Sequence, residues 1–483
     1  MQDVPLSDSS FASLNLSPEL IENMASLGYE AMTPIQAQSL PYILAGRDVI
    51  GQAKTGSGKT AAFGLGLLSK LDRKKFKVQA LVMCPTRELA DQVANAIREL
   101  ARTLPNVKVL TLCGGTPFGP QAGSLESGTH IVVGTPGRVD DHLRKGTLKL
   151  DAVTTLVLDE ADRMLDMGFQ DEIEAIVAAS PAQRQTLLFS ATFQDDTEWV
   201  AEQIMSNPER VATEVDHDRA TIDQHFFQTD DDEARLTALR LLLLKYQPES
   251  TVVFCSTKRD AQELAEELRT HRISALAIHG DLEQRDRDRT LVRFANKSVS
   301  VLVATDVAAR GLDIEALDAV VNYHLARDAE VHVHRIGRTG RAGSTGMAFT
   351  FFADKERYKV DRLEEALSLS VTPGSLPSQK LLDKPPAKPP MVTLQIAGGK
   401  KQKVRPGDIL GALTGEGGVP GKQVGKINIF DQSAYVAVHR DVAKAALKKL
   451  SEGKLKGRSF RVNRVQGQPS NSRRLANRRQ VRD

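Results

Sequence analysis

The stretch Arg47–Thr60, RDVIGQAKTGSGKT, reads as a buried strand that turns on glycines and opens a helical run. Gly56 and Gly58 permit a tight turn whose backbone N–H groups and following helix N-terminus point at phosphates. Lys59 supplies a point charge for β and γ groups, the Thr60 hydroxyl can ligate Mg2+, and Thr55, Gly56, Ser57 and Gly58 complete the cradle. A purely structural glycine turn is the competing explanation; the strand-turn-helix context weighs against it.

Outward from this loop, to about residue 210, short apolar runs alternate with longer helical patterns. RDVIGQA, VQALVMC, HIVVGT, TLVLDE and TLLFSA read as buried strands, and RELADQVANAIRELART as an amphipathic helix between two of them. Such alternation gives a parallel sheet covered by helices. A second series begins near residue 222 with TVVFCST, SALAIHG, VSVLVAT, AVVNYH and GMAFTFF, separated by helical stretches such as RDAQELAEELRTH. Two α/β domains are therefore expected in tandem, over 1–213 and 214–370, with no repeat between their sequences. Residues 371–390, VTPGSLPSQKLLDKPPAKPP, hold 6 of the 21 prolines and read as an extended, semi-rigid linker. A small basic unit follows over 391–465. The tail 466–483, QGQPSNSRRLANRRQVRD, is polar and arginine-rich, a composition expected to stay disordered when unbound.

With 483 residues, 41% hydrophobic and 26% charged, the chain has ample material for buried cores. No stretch approaches the roughly 20 apolar residues that span a bilayer, and MQDVPLSDSS resembles no signal peptide, so a cytoplasmic location is expected. Cys84, Cys113 and Cys255, without a C-x-x-C pair, argue against a disulfide framework and a thiolate zinc site. The net charge of +3 hides a split. Residues 391–483 carry 20 Lys/Arg against 6 Asp/Glu, leaving 44 basic and 55 acidic residues over 1–390. A basic end on an acidic body predicts a polyanion partner, nucleic acid before membrane, because no amphipathic basic helix with a Trp/Phe face accompanies the charge.

About a hundred residues after the glycine loop, TLVL runs into Asp159-Glu160-Ala161-Asp162. A carboxylate at the carboxyl end of such a strand can hold the metal, which assigns Asp159 to Mg2+ and Glu160 to orienting a water on the γ-phosphate. Alone such residues are more often a solvated strand end than a site; paired with the glycine loop, the balance reverses. Upstream, the Gln36 amide could pair with adenine N6 and N7 while Tyr29 offers a ring for stacking, selecting ATP over GTP. Thr33-Pro34 is also an ordinary helix start, and Tyr29 could be core packing.

These residues resemble the DEAD-box ATP-dependent RNA helicases. Further motifs of that family stand in order: Phe11, Pro85-Thr86-Arg87-Glu88-Leu89, Gly114-Gly115, Thr135-Pro136-Gly137-Arg138 and Ser190-Ala191-Thr192. In the second half come Val253-Phe254-Cys255, Gln284 with Arg287, Thr305-Asp306 through Asp313, and His334-Arg335-Ile336-Gly337-Arg338-Thr339-Gly340-Arg341. The resemblance covers about residues 10–370 and implies two tandem RecA-like domains. It implies that Arg338 and Arg341 act as arginine fingers reaching the γ-phosphate across the interdomain cleft, and that Asp313 contacts the ribose. Ser190 and Thr192 would couple hydrolysis to unwinding. His332 and His334 could pair on a zinc ion on paper, but a coupling or packing role is preferred, with His334 assigned to coupling. Thr86, Arg87, Gly115, Thr135, Arg138, Gly280 and Thr305 match positions that contact RNA phosphate and 2′-OH groups, so no DNA preference is expected.

In the basic unit, strand and helix patterns follow in the order βαββαβ, which resembles an RNA recognition motif. Its aromatic platform is largely missing: only Tyr435 stands in Asp431–Val438, and Gln395 occupies the other stacking position. The whole arrangement is similar to bacterial family members whose atypical module docks a hairpin of 23S ribosomal RNA, which implies action on pre-50S particles. Candidate RNA contacts are Lys400, Lys401, Lys403, Arg405, Tyr435, Lys454, Lys456 and Arg458. The expected activity is an RNA-stimulated ATPase, a monomer by default, that opens short duplexes; the alternatives are an ATP-gated RNA-binding platform with incidental hydrolysis and a DNA-directed motor.

Overall fold

The computed structural model describes residues 10–53, 56–190, 195–213, 222–309, 317–340 and 346–466. The chain divides into two compact units, the first holding the described residues up to Thr213 and the second those from Ile222 onward.

In the first unit the strands are β1 (Val49–Gln52), β2 (Ala80–Met83), β3 (Val109–Leu112), β4 (Ile131–Gly134), β5 (Thr155–Asp159), β6 (Gln185–Ser190) and β7 (Glu209–Ala212). They form one parallel sheet ordered β3-β4-β2-β5-β6-β1-β7. Side chains alternate across a strand, so each central strand feeds two cores. Ala80 and Val82 of β2 join one cluster with Phe63 and Ile97, while Leu81 and Met83 join the other with Met164 and Ile176. That double burial explains the continuous apolar runs. The carboxyl ends of all these strands open on one edge, where ligands of such sheets bind.

The second unit opens with β8 (Ile222–Gln228), β9 (Thr251–Cys255), β10 (Ala275–Ile278), β11 (Val301–Thr305), β12 (Ala319–Asn322) and β13 (Gly346–Phe352). They make a parallel sheet ordered β10-β11-β9-β12-β13-β8. The C-terminal module adds β14 (Met391–Ile396), β15 (Val424–Ile429), β16 (Ala434–His439) and β17 (Val462–Arg464), antiparallel in the order β15-β16-β14-β17. Its helices Pro406–Thr414 and Ala443–Glu452 cover one sheet face through Ile409, Leu413, Ala446 and Leu450.

The module's other face is covered by the preceding domain. Tyr435 on β16 is 5% exposed and packs with Val465 against Val292 of the Gln284–Ala295 helix. Beside it the Thr393 hydroxyl lies 2.7 Å from Ser298 Oγ and accepts from Asn296 Nδ2 at 3.3 Å. The proline-rich segment is fastened to the same unit. Gly374 N–H donates to the Phe226 carbonyl at 2.8 Å, Pro386 and Pro389 line a cavity with Leu243, Ile273 and Val301, and Arg440 Nε donates to the Pro389 carbonyl at 2.7 Å. Among the described residues no helix is long and apolar enough to cross a membrane.

Candidate nucleotide and RNA sites

The loop after β1 is built for close approach. Gly56 and Gly58 have φ of 81° and 96°, a region open to glycine, and Gly58 caps the Lys59–Lys70 helix. A Cβ on Gly58 would lie 2.5 Å from Gln36 Nε2. Lys59, 6% exposed, donates to the Ala53 carbonyl at 2.6 Å. Gln36 accepts from Thr33 N–H at 2.9 Å and donates to the Gly58 carbonyl at 3.0 Å. Both ends of this amide are engaged by protein, so here Gln36 ties its helix to the glycine loop; adenine pairing would require one of these bonds to open. Tyr29 is 36% exposed and meets buried Phe11 edge-on, ring centroids 6.2 Å apart. Phe11 thus orients a ring that remains accessible.

Three buried polar atoms around this loop make no hydrogen bond: Thr33 Oγ1, Ser57 Oγ and Asp159 Oδ1. Such orphans are uncommon in a finished core and fit a site awaiting a polar ligand. Asp159 closes β5, and burial, opposed by Lys59 and reinforced by Glu160, lifts its pKa to about 7. Glu160 follows at φ 55°, ψ 53°, a left-handed conformation that costs on the order of 1–3 kcal/mol in a non-glycine residue. Ser190 closes β6 fully buried, its carbonyl accepting from Ala53 N–H at 3.1 Å. Thr60 stands in the first turn of the Lys59–Lys70 helix. Thr55, Thr192, Asp313 and Arg341 lie outside the described residues.

The neighbouring strands carry the other group. Thr86, after β2, caps the Arg87–Leu100 helix by accepting from Leu89 N–H at 3.3 Å, while Arg87 Nε lies 3.8 Å from Asp91. Gly115, φ 73°, follows β3; Thr135 and Arg138 follow β4. Arg138 donates to the Thr116 carbonyl at 3.1 Å and to Gln121 Oε1 at 2.7 Å. The edge is therefore partitioned: β3, β4 and β2 present the RNA candidates, and β5, β6 and β1 present the nucleotide candidates. Gln121 was not singled out by its sequence, because a lone glutamine in FGPQAGSLE carries no periodic or motif signal.

In the second unit Gly280 follows β10, beside a Lys258–Asp281 pair at 2.7 Å, and Thr305 ends β11. Arg335, 3% exposed, grips both Asp306 oxygens at 2.7 and 2.8 Å. It also donates to Asn322 Oδ1 and the His324 carbonyl, and its guanidinium lies 5.0 Å from the Phe254 ring. His332 is fully buried; burial and Arg335 push its pKa down to about 4, as suits packing. His334 lies 3.8 Å from Glu330, and the Arg338 carbonyl accepts from Leu317 N–H at 3.1 Å. In the module Lys400, Lys401, Lys403, Arg405, Lys454, Lys456 and Arg458 are exposed, and Lys456 Nζ donates to the Lys403 carbonyl at 3.0 Å. Tyr435 does not join them. The docking of its sheet face withdraws the ring from any base, which corrects its assignment as an RNA contact.

Three family patterns match this chain: DEAD/DEAH box helicase over residues 33–200, helicase conserved C-terminal domain over 234–343, and DbpA RNA binding domain over 393–464. Over 455 residues the chain is 54% identical to the ATP-dependent RNA helicase DbpA of Escherichia coli, spanning 94% of this chain and 98% of that protein. It is 45% identical over 368 residues to the ATP-dependent RNA helicase CshA of Listeria monocytogenes, 76% of this chain and 71% of that one. Among solved structures, Saccharomyces cerevisiae Dbp5 bound to RNA and ADP BeF3 aligns with TM-score 0.70 and 31% identity, over 76% of this chain and 95% of that chain. With the glycine loop and the strand-end carboxylates inside the matched residues and 54% identity across 94% of its length, the chain belongs to the DEAD-box ATP-dependent RNA helicases, enzymes that hydrolyse ATP.

Proposed function

We propose that this helicase opens short duplexes of ribosomal RNA, with 23S rRNA in pre-50S particles as its target, acting as a cytoplasmic monomer on ATP with Mg2+. The partitioned sheet edge carries the reading: one set of strand ends is equipped for a triphosphate and its neighbours for a phosphate-ribose backbone. The donor set fits Mg2+. Asp159 Oδ1 is a buried acceptor without a hydrogen bond, close enough to feel the charge of Lys59, the residue before Thr60. This suits a metal held by one carboxylate, a hydroxyl and the ligand's own phosphates. Bound there, Mg2+ would neutralise charge on the phosphate oxygens.

The protein's own part follows from its geometry. Lys59 exchanges the Ala53 carbonyl for phosphate oxygens, and Glu160 orients the attacking water and accepts its proton at the carboxylate. Tyr29 stacks on the base. Arg338 and Arg341 serve the γ-phosphate and Asp313 the ribose. Ser190, Thr192 and His334 couple hydrolysis to RNA. Thr86, Arg87, Gly115, Thr135 and Arg138, with Gly280 and Thr305, hold backbone without reading bases, so choice of RNA falls to the module's exposed cations.

The test is ATPase stimulation by 23S rRNA fragments against unrelated RNA of equal length, using the full chain and its Lys403→Glu/Arg405→Glu/Arg458→Glu variant. The unmodified chain should prefer the ribosomal fragment and the variant should respond to both alike. A preference that survives in the variant removes these cations as the reader.

A further inference from the structure

The Gln284–Ala295 helix carries Arg285, Arg289 and Arg293, none of which has a task above. Spaced four apart, they form one stripe about 12 Å long at 1.5 Å per residue. Contacts fix where it faces: Val292, on the same side, packs on Tyr435, and Arg289 Nη2 donates to the Gln466 carbonyl at 2.8 Å. The stripe thus runs into the seam with the C-terminal module. Its other end starts in the first turn of the helix, beside Gln284.

Two more arginines approach from other elements. Arg464, exposed at the end of β17, comes from the module, and Arg269 from the Lys258–Thr270 helix. Burial together with Arg289, Arg269 and Arg464 pulls the Arg293 pKa down to about 10, a sign that these charges feel one another. Carboxylates stand near them, with Asp286 buried on the same helix. Asp288 accepts from Gln284 Nε2 at 2.8 Å on the adjoining stripe, and Glu266 stands 4.0 Å from Arg269. Gathering like charges opposes folding unless an anion balances them. Guanidinium forks match phosphate in geometry. None of the exposed large apolar side chains among the described residues lies on this helix, so a protein partner would find charge without an anchor.

We propose that the arginine stripe Arg285–Arg289–Arg293, with Arg464, is a second RNA-backbone site that holds the segment joining the core-bound strand to the element held by the C-terminal module. The inference rests on RNA being the substrate. It gives the covered sheet face a consequence: RNA crosses the seam along its rim.

Fluorescence anisotropy on the full chain, from 50 to 200 mM salt, tests it with a ten-nucleotide oligouridylate and a long 23S rRNA fragment. For the Arg289→Gln/Arg464→Gln variant, affinity for the long RNA should fall about tenfold and the slope of log K against log salt should flatten by about 1.4, two contacts at roughly 0.7 each. The short strand should weaken by less than about twofold. An unchanged slope, or equal weakening of both RNAs, overturns the proposal. Should the double variant fail to fold, Arg464→Gln alone decides, because that side chain is exposed; an unchanged slope there is equally fatal. Lost binding of polyglutamate with RNA affinity intact would assign the seam to an acidic protein and overturn it too. RNA stimulation of the unmodified chain's ATPase is recorded alongside. Its absence defeats the helicase reading, whereas the slope speaks to the seam alone.

Discussion

The two halves of the first unit's sheet edge solve opposite problems with the same backbone. Around β1 and β5, Thr33 Oγ1, Ser57 Oγ and Asp159 Oδ1 are buried without partners, and Glu160 is held left-handed. Beyond β2, β3 and β4, Arg138 is locked by Gln121 and the Thr116 carbonyl, and His142 and Thr147 close the network, while Arg87 Nη1 stays unmatched. A small ligand of fixed shape can supply missing partners atom by atom, so an unsatisfied pocket is selective for it. A polymer gripped by its backbone needs cations already in place. The second unit repeats the saturated solution, with Arg335 held by Asp306, Asn322 and the His324 carbonyl.

The comparison breaks most readily at Glu160. If the unsatisfied half performs the chemistry, Glu160→Gln keeps the shape, removes the proton acceptor and lowers single-turnover hydrolysis by about 10²- to 10⁴-fold while RNA still binds. Retained hydrolysis would mean the left-handed glutamate has another purpose, and an ATP-gated platform would still work with this variant.

The saturated solution is probed next through Arg335→Ala, which leaves Asp306 and buried Asn322 without their common donor. Loss of a buried charged partner of this kind costs about 3 kcal/mol. The single tryptophan, Trp199, lies in the first unit. In urea, therefore, the circular-dichroism transition should shift to lower concentration while the Trp199 fluorescence transition stays in place. Joint movement of both signals would show that the two units do not unfold separately.

How much of this was legible depended on whether one strand or several elements carried the signal. The central strands declared themselves, because burial on both faces writes an unbroken apolar run such as ALVM in β2 or LVL in β5. The edge strands β3, β7 and β8 did not: VLTL, ERVA and IDQHFFQ are partly exposed and mix polar residues into the pattern. The glycine loop and Asp159-Glu160 were readable because each side chain faces the ligand from a fixed place in one strand-turn-helix unit. Gln36 was read as an adenine reader, and its sequence could not show that Gly58, 22 positions away, would take its amide. The burial of Tyr435 was equally out of reach: the surface that covers it comes from Val292, and nothing in β16 announces a partner so distant in sequence.

The smallest and most discriminating test lies at Gln121. Its Nε2 donates to the Cys113 carbonyl at 3.1 Å and to Thr116 Oγ1 at 2.6 Å, leaving Oε1 to accept from both Arg138 and His142 Nε2, the latter at 3.0 Å. His142 then carries its proton on Nε2, and its Nδ1 lies 2.8 Å from the Thr147 hydroxyl, which is also 3.1 Å from the His142 carbonyl. Burial, then Arg138, pushes its pKa down and favours that neutral form, and Phe118 stacks on the ring at 4.0 Å. One amide therefore sets the position of Arg138 and of the loop carrying Gly115. Gln121→Leu removes the anchor while keeping most of the volume, and a lost buried bond of about 1.4 kcal/mol predicts a tenfold higher KM for RNA. The kcat at saturating RNA should stay within about twofold, because bound RNA restores the same arrangement. Gln121→Glu, which still accepts from Arg138, should recover part of the loss. If KM does not move in either variant, RNA itself positions Arg138, and the RNA half of the edge is as dependent on its ligand as the nucleotide half.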